Sequence, residues 1–195
     1  MPFEAAIPWR ANSPADKSQS TSYHRRAGGG EIEFEEIECE EMNQADEGAM
    51  LVLNNEHREE TSELDGAKLH AIVVQGFHVG LRNGGRDAFL IAFDQDAISA
   101  SPNFQWFKSR YKRFVYIDRV IVAADRRGRG MARGLYGDLF AAAAQAGHSL
   151  VGCEVNVEPP NPISDAFHEA LGFAEVGRAA LFGGDKVVRY LVKAV

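Results

Sequence analysis

Cysteine is scarce in this 195-residue chain, which has two, Cys39 and Cys153. Both fall in segments that read as strands, and two thiols so far apart build neither a disulfide framework nor a zinc cluster. They read as buried free thiols in a reducing compartment, so the expected location is cytoplasmic. Histidine is present six times but without metal spacing. His70 and His78 stand in a region read as strand with no cysteine beside them, and no metal is expected. Long apolar runs are missing as well. None approaches the roughly 18–20 residues that cross a bilayer. The N-terminus lacks a charged-then-apolar leader, so no membrane partner is expected.

What is there is globular material: 45% hydrophobic and 25% charged residues, in a length that suits one domain with a real core. The formal net charge of −7 conceals an asymmetry. From Glu31 to Glu60 there are 12 acidic residues against one basic residue, Arg58. From Ser101 to Arg133 there are nine Lys and Arg against Asp118 and Asp125. The acidic run suits attraction of a cationic amine, and the basic run suits a phosphorylated ligand. The plain alternative for any single charge is a solvated face. An RNA-binding role for the basic run is a remote alternative, opposed by the acidic total and by glycines placed for close backbone approach. No nucleic-acid partner is expected.

Within the basic run lies Arg127-Gly128-Arg129-Gly130-Met131-Ala132. An apolar run, Phe114 to Val122, enters it, and a run of helical character, Met131 to Ala146, leaves it. The first N–H groups of a helix have no partner inside the helix, and its dipole points the positive end the same way. Gly128 and Gly130 lack a Cβ, so an anion can approach the backbone, and Arg126, Arg127 and Arg129 add positive charge. The expectation is a phosphate or pyrophosphate site. No lysine followed by Ser or Thr closes the turn, so it is no Walker loop. Arg133 stands where a dinucleotide fingerprint would carry its third glycine.

The turn resembles the acyl-CoA signature Arg/Gln-x-x-Gly-x-Gly/Ala of the GNAT superfamily of N-acetyltransferases, with Arg127, Gly130 and Ala132 at its three positions. Asn161 followed by Phe167-His168-Glu169-Ala170-Leu171-Gly172-Phe173 is similar to that family's fourth helix, which reads Asn, a few residues, Tyr, two residues, Leu-Gly-Phe. The likeness, to a bacterial branch, runs from Phe114 to Val192 and more loosely over Glu31 to Phe93. It implies an α/β (α+β) fold, a twisted, mostly antiparallel mixed sheet of about seven strands flanked by helices. The sheet would be split between its fourth and fifth strands, with pantetheine in the split. It implies transfer of an acetyl group from acetyl-CoA to a primary amine of a small molecule, peptide or protein, by direct attack in a ternary complex. The cofactor would be held by Val120, Ile121 and Val122, by Arg127, Gly128, Arg129, Gly130, Met131 and Ala132, and by Asn161. A homodimer is compatible with it. A non-catalytic acyl-CoA-binding module is the alternative.

Along the chain, residues 1–30 are rich in Ser, Pro, Ala and Gly without a hydrophobic period and read as a flexible tail before a single domain, 31–195. Ile32, Phe34 and Ile37 suggest an edge strand, Met42 to Glu60 a helix, and Leu69 to Val79 a strand. Gly84-Gly85 turns that strand into another, Ala88 to Phe93. Gln95 to Arg113 is a long connection rich in aromatics, read either as a helix on the core or as a substrate-side wall. Phe114 to Val122 is the central strand, and Met131, Leu135, Leu139 and Ala143 repeat at helical spacing after it. Ser149 to Val157 reads as strand, Pro162 to Leu171 as helix with Gly172 as its stop, and Phe173 to Leu181 with Lys186 to Val192 as a closing hairpin.

Amide formation from an alkylammonium, of pKa ~10, needs a base, an oxyanion donor and a proton for the leaving thiolate. Backbone N–H groups around Val120 to Val122 are the expected oxyanion donors. Glu154 is the first candidate base: in the ribosomal-protein acetyltransferases a Glu at a similar strand position has that role, though extra residues around Pro159-Pro160 loosen the match here. Asp118 is the second, unless it pairs with a neighbouring arginine such as Arg119. Glu56 and Glu59 read as substrate-side or simply exposed. His168 stands where the family's proton-donating tyrosine falls. It is the candidate acid, and the competing readings are stacking on adenine or capping a core. For Asn161 the competing reading is the N-cap of the helix it precedes.

Overall fold

The computed structural model describes residues 10–11, 20–24, 44–58 and 61–195. They form two compact units. The first comprises the described residues up to Ala92 together with 119–142, the second 93–118 and 143–195.

The first unit opens with two short strands, β1 (Arg10–Ala11) and β2 (Ser20–His24). They lie in the segment expected to be a tail without structure. Their signal is backbone pairing, not side-chain pattern: β2 pairs antiparallel with β3 (His78–Arg82) along its whole length, Ser20 opposite Arg82 through to His24 opposite His78. The strand expected at Ile32 to Ile37, Cys39 and Glu59 lie outside the described residues. Helix α1 (Gln44–Glu56) follows, burying Met50 and Leu53.

One expectation is overturned next. The stretch read as strand from Leu69 is helix α2 (Gly66–Gln75), so His70 is helical too. Ile72, Val73 and Val74 are β-branched and favour strands. However, Asp65 caps the helix by accepting from the Lys68 N–H at 2.8 Å, and Leu69 and Val73, one turn apart, are both buried. A cap and a packed i, i+4 pair outweigh a weak propensity. Strand β3 starts only at His78 and forms a hairpin with β4 (Ala88–Asp94), in the register Val79 to Ile91 and Leu81 to Phe89. Every residue of β4 is buried, the apolar run Ala88 to Phe93 and the Asp94 that ends it. At the turn, Gly85 has φ +79°, and a Cβ there would lie 2.6 Å from the Met50 side chain. Helix α4 (Met131–Gln145) buries Leu135 and Leu139. A Cβ on Gly80 would come within 2.9 Å of Leu135, and Arg82 ion-pairs with Asp138 at 2.9 Å.

The second unit is built on aromatics. The long connection contains helix α3 (Pro102–Lys108), with Ser101 as N-cap and Pro102 at its first turn. Phe104 and Phe107 are fully buried, so the core-packing reading of this segment holds. Here lie strands β5 (Val115–Val122, its first half), β6 (Leu150–Glu158), β7 (Ala174–Leu181) and β8 (Lys186–Ala194), with helix α5 (Pro162–Ala170) between β6 and β7. β6 and β8 pair antiparallel over nearly their full lengths, as do β8 and β7. The β5–β6 pairing is parallel and brief: Val115 faces Val151, Tyr116 faces Gly152, and the register stops there. The strand order is β1-β2-β3-β4 in the first unit and β5-β6-β8-β7 in the second. This is the mixed α+β, mostly antiparallel architecture expected, and in the second unit β5 and β6 part after their short parallel contact.

Candidate active site

In the first unit, β5 ends at Val122 and a 3-10 turn, Ala124–Arg126, leads to Arg127 in extended conformation. Gly128 and Gly130 then take φ of +76° and +79°, which glycine adopts without strain. A Cβ at either would meet nothing within 4 Å, so the backbone stands open to a ligand. Gly130 directly precedes α4 and offers no side-chain oxygen to the first helical amides of Met131 and Ala132, which an anion can therefore engage. The arginines are not equivalent. Arg126 ion-pairs with Asp87 at 3.5 Å and Asp125 at 3.4 Å, so its charge is already answered. Arg127 donates to the Val122 carbonyl at 3.3 Å and meets His57 Nδ1 at 3.3 Å, while Arg129 reaches the Asp125 carbonyl at 3.4 Å. Val120 and Val122 are half-buried and Ile121 is buried. Arg119, the partner weighed for Asp118, donates to the buried Asn54 side-chain oxygen at 2.7 Å.

In the second unit the centre is Glu154 on β6. The Asn103 side-chain amide donates to its Oε1 at 2.8 Å, and the Tyr116 hydroxyl donates to its Oε2 at 2.8 Å. Glu154 keeps some solvent exposure, yet its carboxyl is densely surrounded. Desolvation pushes its pKa up to about 7; the Tyr116 hydrogen bond and the Lys186 charge pull it down, and the Asp118 charge adds to the rise. Tyr116 is held well above its ordinary value, first by burial and then by the carboxylates of Glu154 and Asp118, so it stays a donor. The Tyr190 hydroxyl donates to Asn103 Oδ1 at 3.1 Å, and the Tyr190 ring stacks on Trp106 at 4.0 Å.

Asn161 is the N-cap of α5, its Oδ1 accepting from Ser164 N–H at 3.1 Å. His168 is buried, and its Nδ1 lies 2.7 Å from the Ser164 carbonyl, to which it donates. The helix stops in a Schellman arrangement: Phe173 N–H reaches the His168 carbonyl at 3.0 Å and Gly172 N–H the Glu169 carbonyl at 2.9 Å. His168 packs edge-on against Phe173 at 5.1 Å, the apolar contact that accompanies this stop. Burial lowers the imidazole pKa, ahead of smaller opposing effects from Ser164 and Asp165, so the ring is neutral at pH 7.

The structure thus joins Glu154 to three residues that sequence reasoning did not name: Asn103, Tyr116 and Tyr190. Tyr116 stands two residues before Asp118, on the same face of β5, and that spacing was a usable signal. Asn103 carried none, because its role depends on where α3 packs. Among the described residues no cluster of His, Cys, Asp and Glu is arranged to hold a metal, and His70 instead meets Glu47 at 3.0 Å. No helix among them is long and apolar enough to cross a membrane.

Solved structures share this architecture. A ribosomal-protein-alanine N-acetyltransferase from Brucella melitensis is similar with a TM-score of 0.59 at 23% identity, over 78% of this chain and 96% of that one. The NatC complex bound to Gag peptide and CoA contains a chain similar with a TM-score of 0.60 at 13% identity, over 78% and 92%. An aminoglycoside 6'-N-acetyltransferase complexed with coenzyme A gives 0.58 at 14% identity, over 81% and 95%. At these identities the likeness is one of fold. No curated protein matches the sequence. The model of the acetyltransferase (GNAT) family, however, matches residues 49–173, well over half of the chain, and the chain therefore belongs to that family of acyltransferases.

Proposed function

We propose that the enzyme transfers the acetyl group of acetyl-CoA to a primary amine by direct attack, with Glu154 as the general base. The observation that carries this reading is the Glu154 carboxyl, held by two donors at 2.8 Å and poised at about pH 7. A base is most effective when its pKa lies near the working pH. The substrate ammonium, of pKa ~10, loses a proton to Glu154 directly or through water. The neutral nitrogen adds to the thioester carbonyl, the oxyanion is met by a backbone N–H of Val120 to Val122, and the C–S bond breaks as the amide forms. The thiolate leaves and takes a proton from solvent or from protonated Glu154.

In the same reading the open backbone at Gly128 and Gly130 and the first amides of α4 take the pyrophosphate of acetyl-CoA, with Arg127 and Arg129 as supporting cations. Arg126 is assigned no such role, since Asp87 and Asp125 already answer it. Asp118 acts through its charge on Glu154 rather than as the base itself. His168 is assigned to the helix stop and not to proton donation, because its Nδ1 hydrogen is committed to the Ser164 carbonyl. The buried free thiol of Cys153 suits a reducing compartment, and we assign the chain to the cytoplasm. The test is Glu154→Gln assayed by thiol release from acetyl-CoA with a panel of amines. Turnover is expected to fall most near pH 7 and to recover in part at high pH, where free amine is abundant. An equal loss at every pH would take the base role from Glu154.

A further inference from the structure

The segment between β4 and β5 meets Glu154 through one residue, Asn103. Its Nδ2 donates to Glu154 Oε1 at 2.8 Å. An amide can turn about its last bond and present oxygen instead of nitrogen. Here the ionised Glu154 carboxyl, which only accepts, keeps the nitrogen turned toward it. The Tyr190 hydroxyl donates to Asn103 Oδ1 at 3.1 Å, so the oxygen faces Tyr190 and the nitrogen faces Glu154. Tyr190 is fixed in turn, its ring stacked on Trp106 at 4.0 Å and 18°, with the Arg110 guanidinium 4.1 Å from the Trp106 ring. A Cβ on Gly177 would lie 2.6 Å from Trp106, so the absence of a side chain there lets the indole lie down. Asn103 and Tyr190 are both buried.

We propose that Asn103 is a positioning residue for the base: oriented by Tyr190, it holds one carboxyl oxygen of Glu154 while Tyr116 holds the other, which fixes the direction of the lone pair that receives the substrate proton. This rests on the reading of Glu154 as base. Asn103 gives up no proton in the reaction, and its effect is exerted through the Glu154 carboxyl it holds. A donor to the ionised carboxyl also stabilises that form, and it opposes the desolvation. The other groups that act on Glu154 are Tyr116 and Asp118 from β5 and Lys186 from β8, while the Glu154 charge in turn raises Tyr190 on β8 and Cys153 beside it on β6. Replacing Asn103 leaves Tyr116, Asp118 and Lys186 in place and takes from the Tyr190 hydroxyl its acceptor.

The test is the carbon-13 titration of the Glu154 carboxyl in the full chain, with Glu154→Gln to assign its signal, together with the pH profile of kcat/KM by thiol release. In Asn103→Leu the midpoint is expected to rise by about one pH unit, the effect of losing one ordinary hydrogen bond to an ionised group. The acid limb should move with it, with kcat/KM down about fivefold at pH 7, as the ionised fraction falls from about one half to about one eleventh, and the KM for acetyl-CoA unchanged. Tyr190→Phe keeps the ring stack and removes one of the two anchors of the amide, so it should move both in the same direction by a smaller amount, and it serves if the Leu variant does not fold. An unmoved midpoint in a folded Asn103→Leu or Tyr190→Phe chain would overturn the positioning role even where Glu154→Gln is inactive. If instead Glu154→Gln turns over normally, the base reading has failed, and the carbon-13 midpoints still report on the hydrogen bond.

Discussion

At Gly128 and Gly130 the backbone is bare and nothing lies within 4 Å of where a side chain would start; at Glu154 both carboxyl oxygens already have donors. The first region leaves its backbone open around the two glycines, and in the proposed reading an anion fills that space. The second has assembled its partners in advance, at a cost in stability whenever the carboxyl is ionised. A site that waits for its ligand is stabilised by that ligand. A site organised beforehand carries its strain in the free protein, and removing its charge should relieve it.

Glu154→Gln is the sharpest way to test that contrast. Turnover should fall by ~10²–10⁴-fold, the range for loss of a general base. Stability should move the other way. The folded pKa of about 7 lies above the ordinary 4.5, so the folded chain binds the extra proton between those values and loses stability as pH rises through them. Glutamine does not titrate and can accept from Asn103 while donating to Tyr116. The melting temperature of the variant relative to wild type should therefore climb from pH 4.5 to 7 and level off above, with a gain of up to about 3 kcal/mol. A flat difference across that window would mean the carboxyl is not desolvated.

The opposite region should respond to ligand rather than to pH. Acetyl-CoA is expected to raise the melting temperature of the wild-type chain, and Gly130→Asp should abolish that rise by placing a carboxylate where pyrophosphate sits. The ligand-free melting temperature of the same variant separates lost binding from the strain of a non-glycine residue at φ +79°. A rise of wild-type size in the variant would move the cofactor site elsewhere.

Smaller effects sharpen the comparison on the preorganised side. Gly177→Ala must displace Trp106 from Tyr190, an overpacking expected to cost ~1–3 kcal/mol and to change the near-ultraviolet circular dichroism of the indole. His168→Phe retains the contact with Phe173 and loses one hydrogen bond, so turnover should stay within about threefold of wild type. With its pKa lowered by burial, His168 takes up a proton more readily when unfolded, and wild type should lose stability as pH falls below 6.5 on that account. The Phe variant should lack this contribution. A hundredfold loss of turnover in it would restore His168 as the acid.

Periodicity and glycine chemistry carried most of the outline. The central strand, α4 with its Leu135 and Leu139 face, α5 between Asn161 and Gly172, and the closing hairpin all lie within a residue or two of where apolar spacing and stop signals place them. Helix α2 departs from the strand expected there because three β-branched residues in a row outweigh, by propensity alone, a cap at Asp65 whose worth shows only once Leu69 and Val73 are packed. The strands at Arg10–Ala11 and Ser20–His24 had no apolar period to reveal them, since β2 is recognised by its backbone register with β3.

The same division runs through the chemistry. Sequence alone determined the open turn, because a glycine before a helix leaves backbone donors bare whatever surrounds it, and it supplied the carboxyl of Glu154 as a candidate. Only the tertiary structure decided what surrounds that carboxyl. Its pKa depends on burial and on donors from residues 38 and 51 positions away in the chain, and no spacing along the sequence encodes such a meeting. His168 went the same way in reverse. Its place in the motif was plain to read, but the packing of Phe173 and the Ser164 carbonyl, which keep it neutral with its proton committed, exist only in the folded chain.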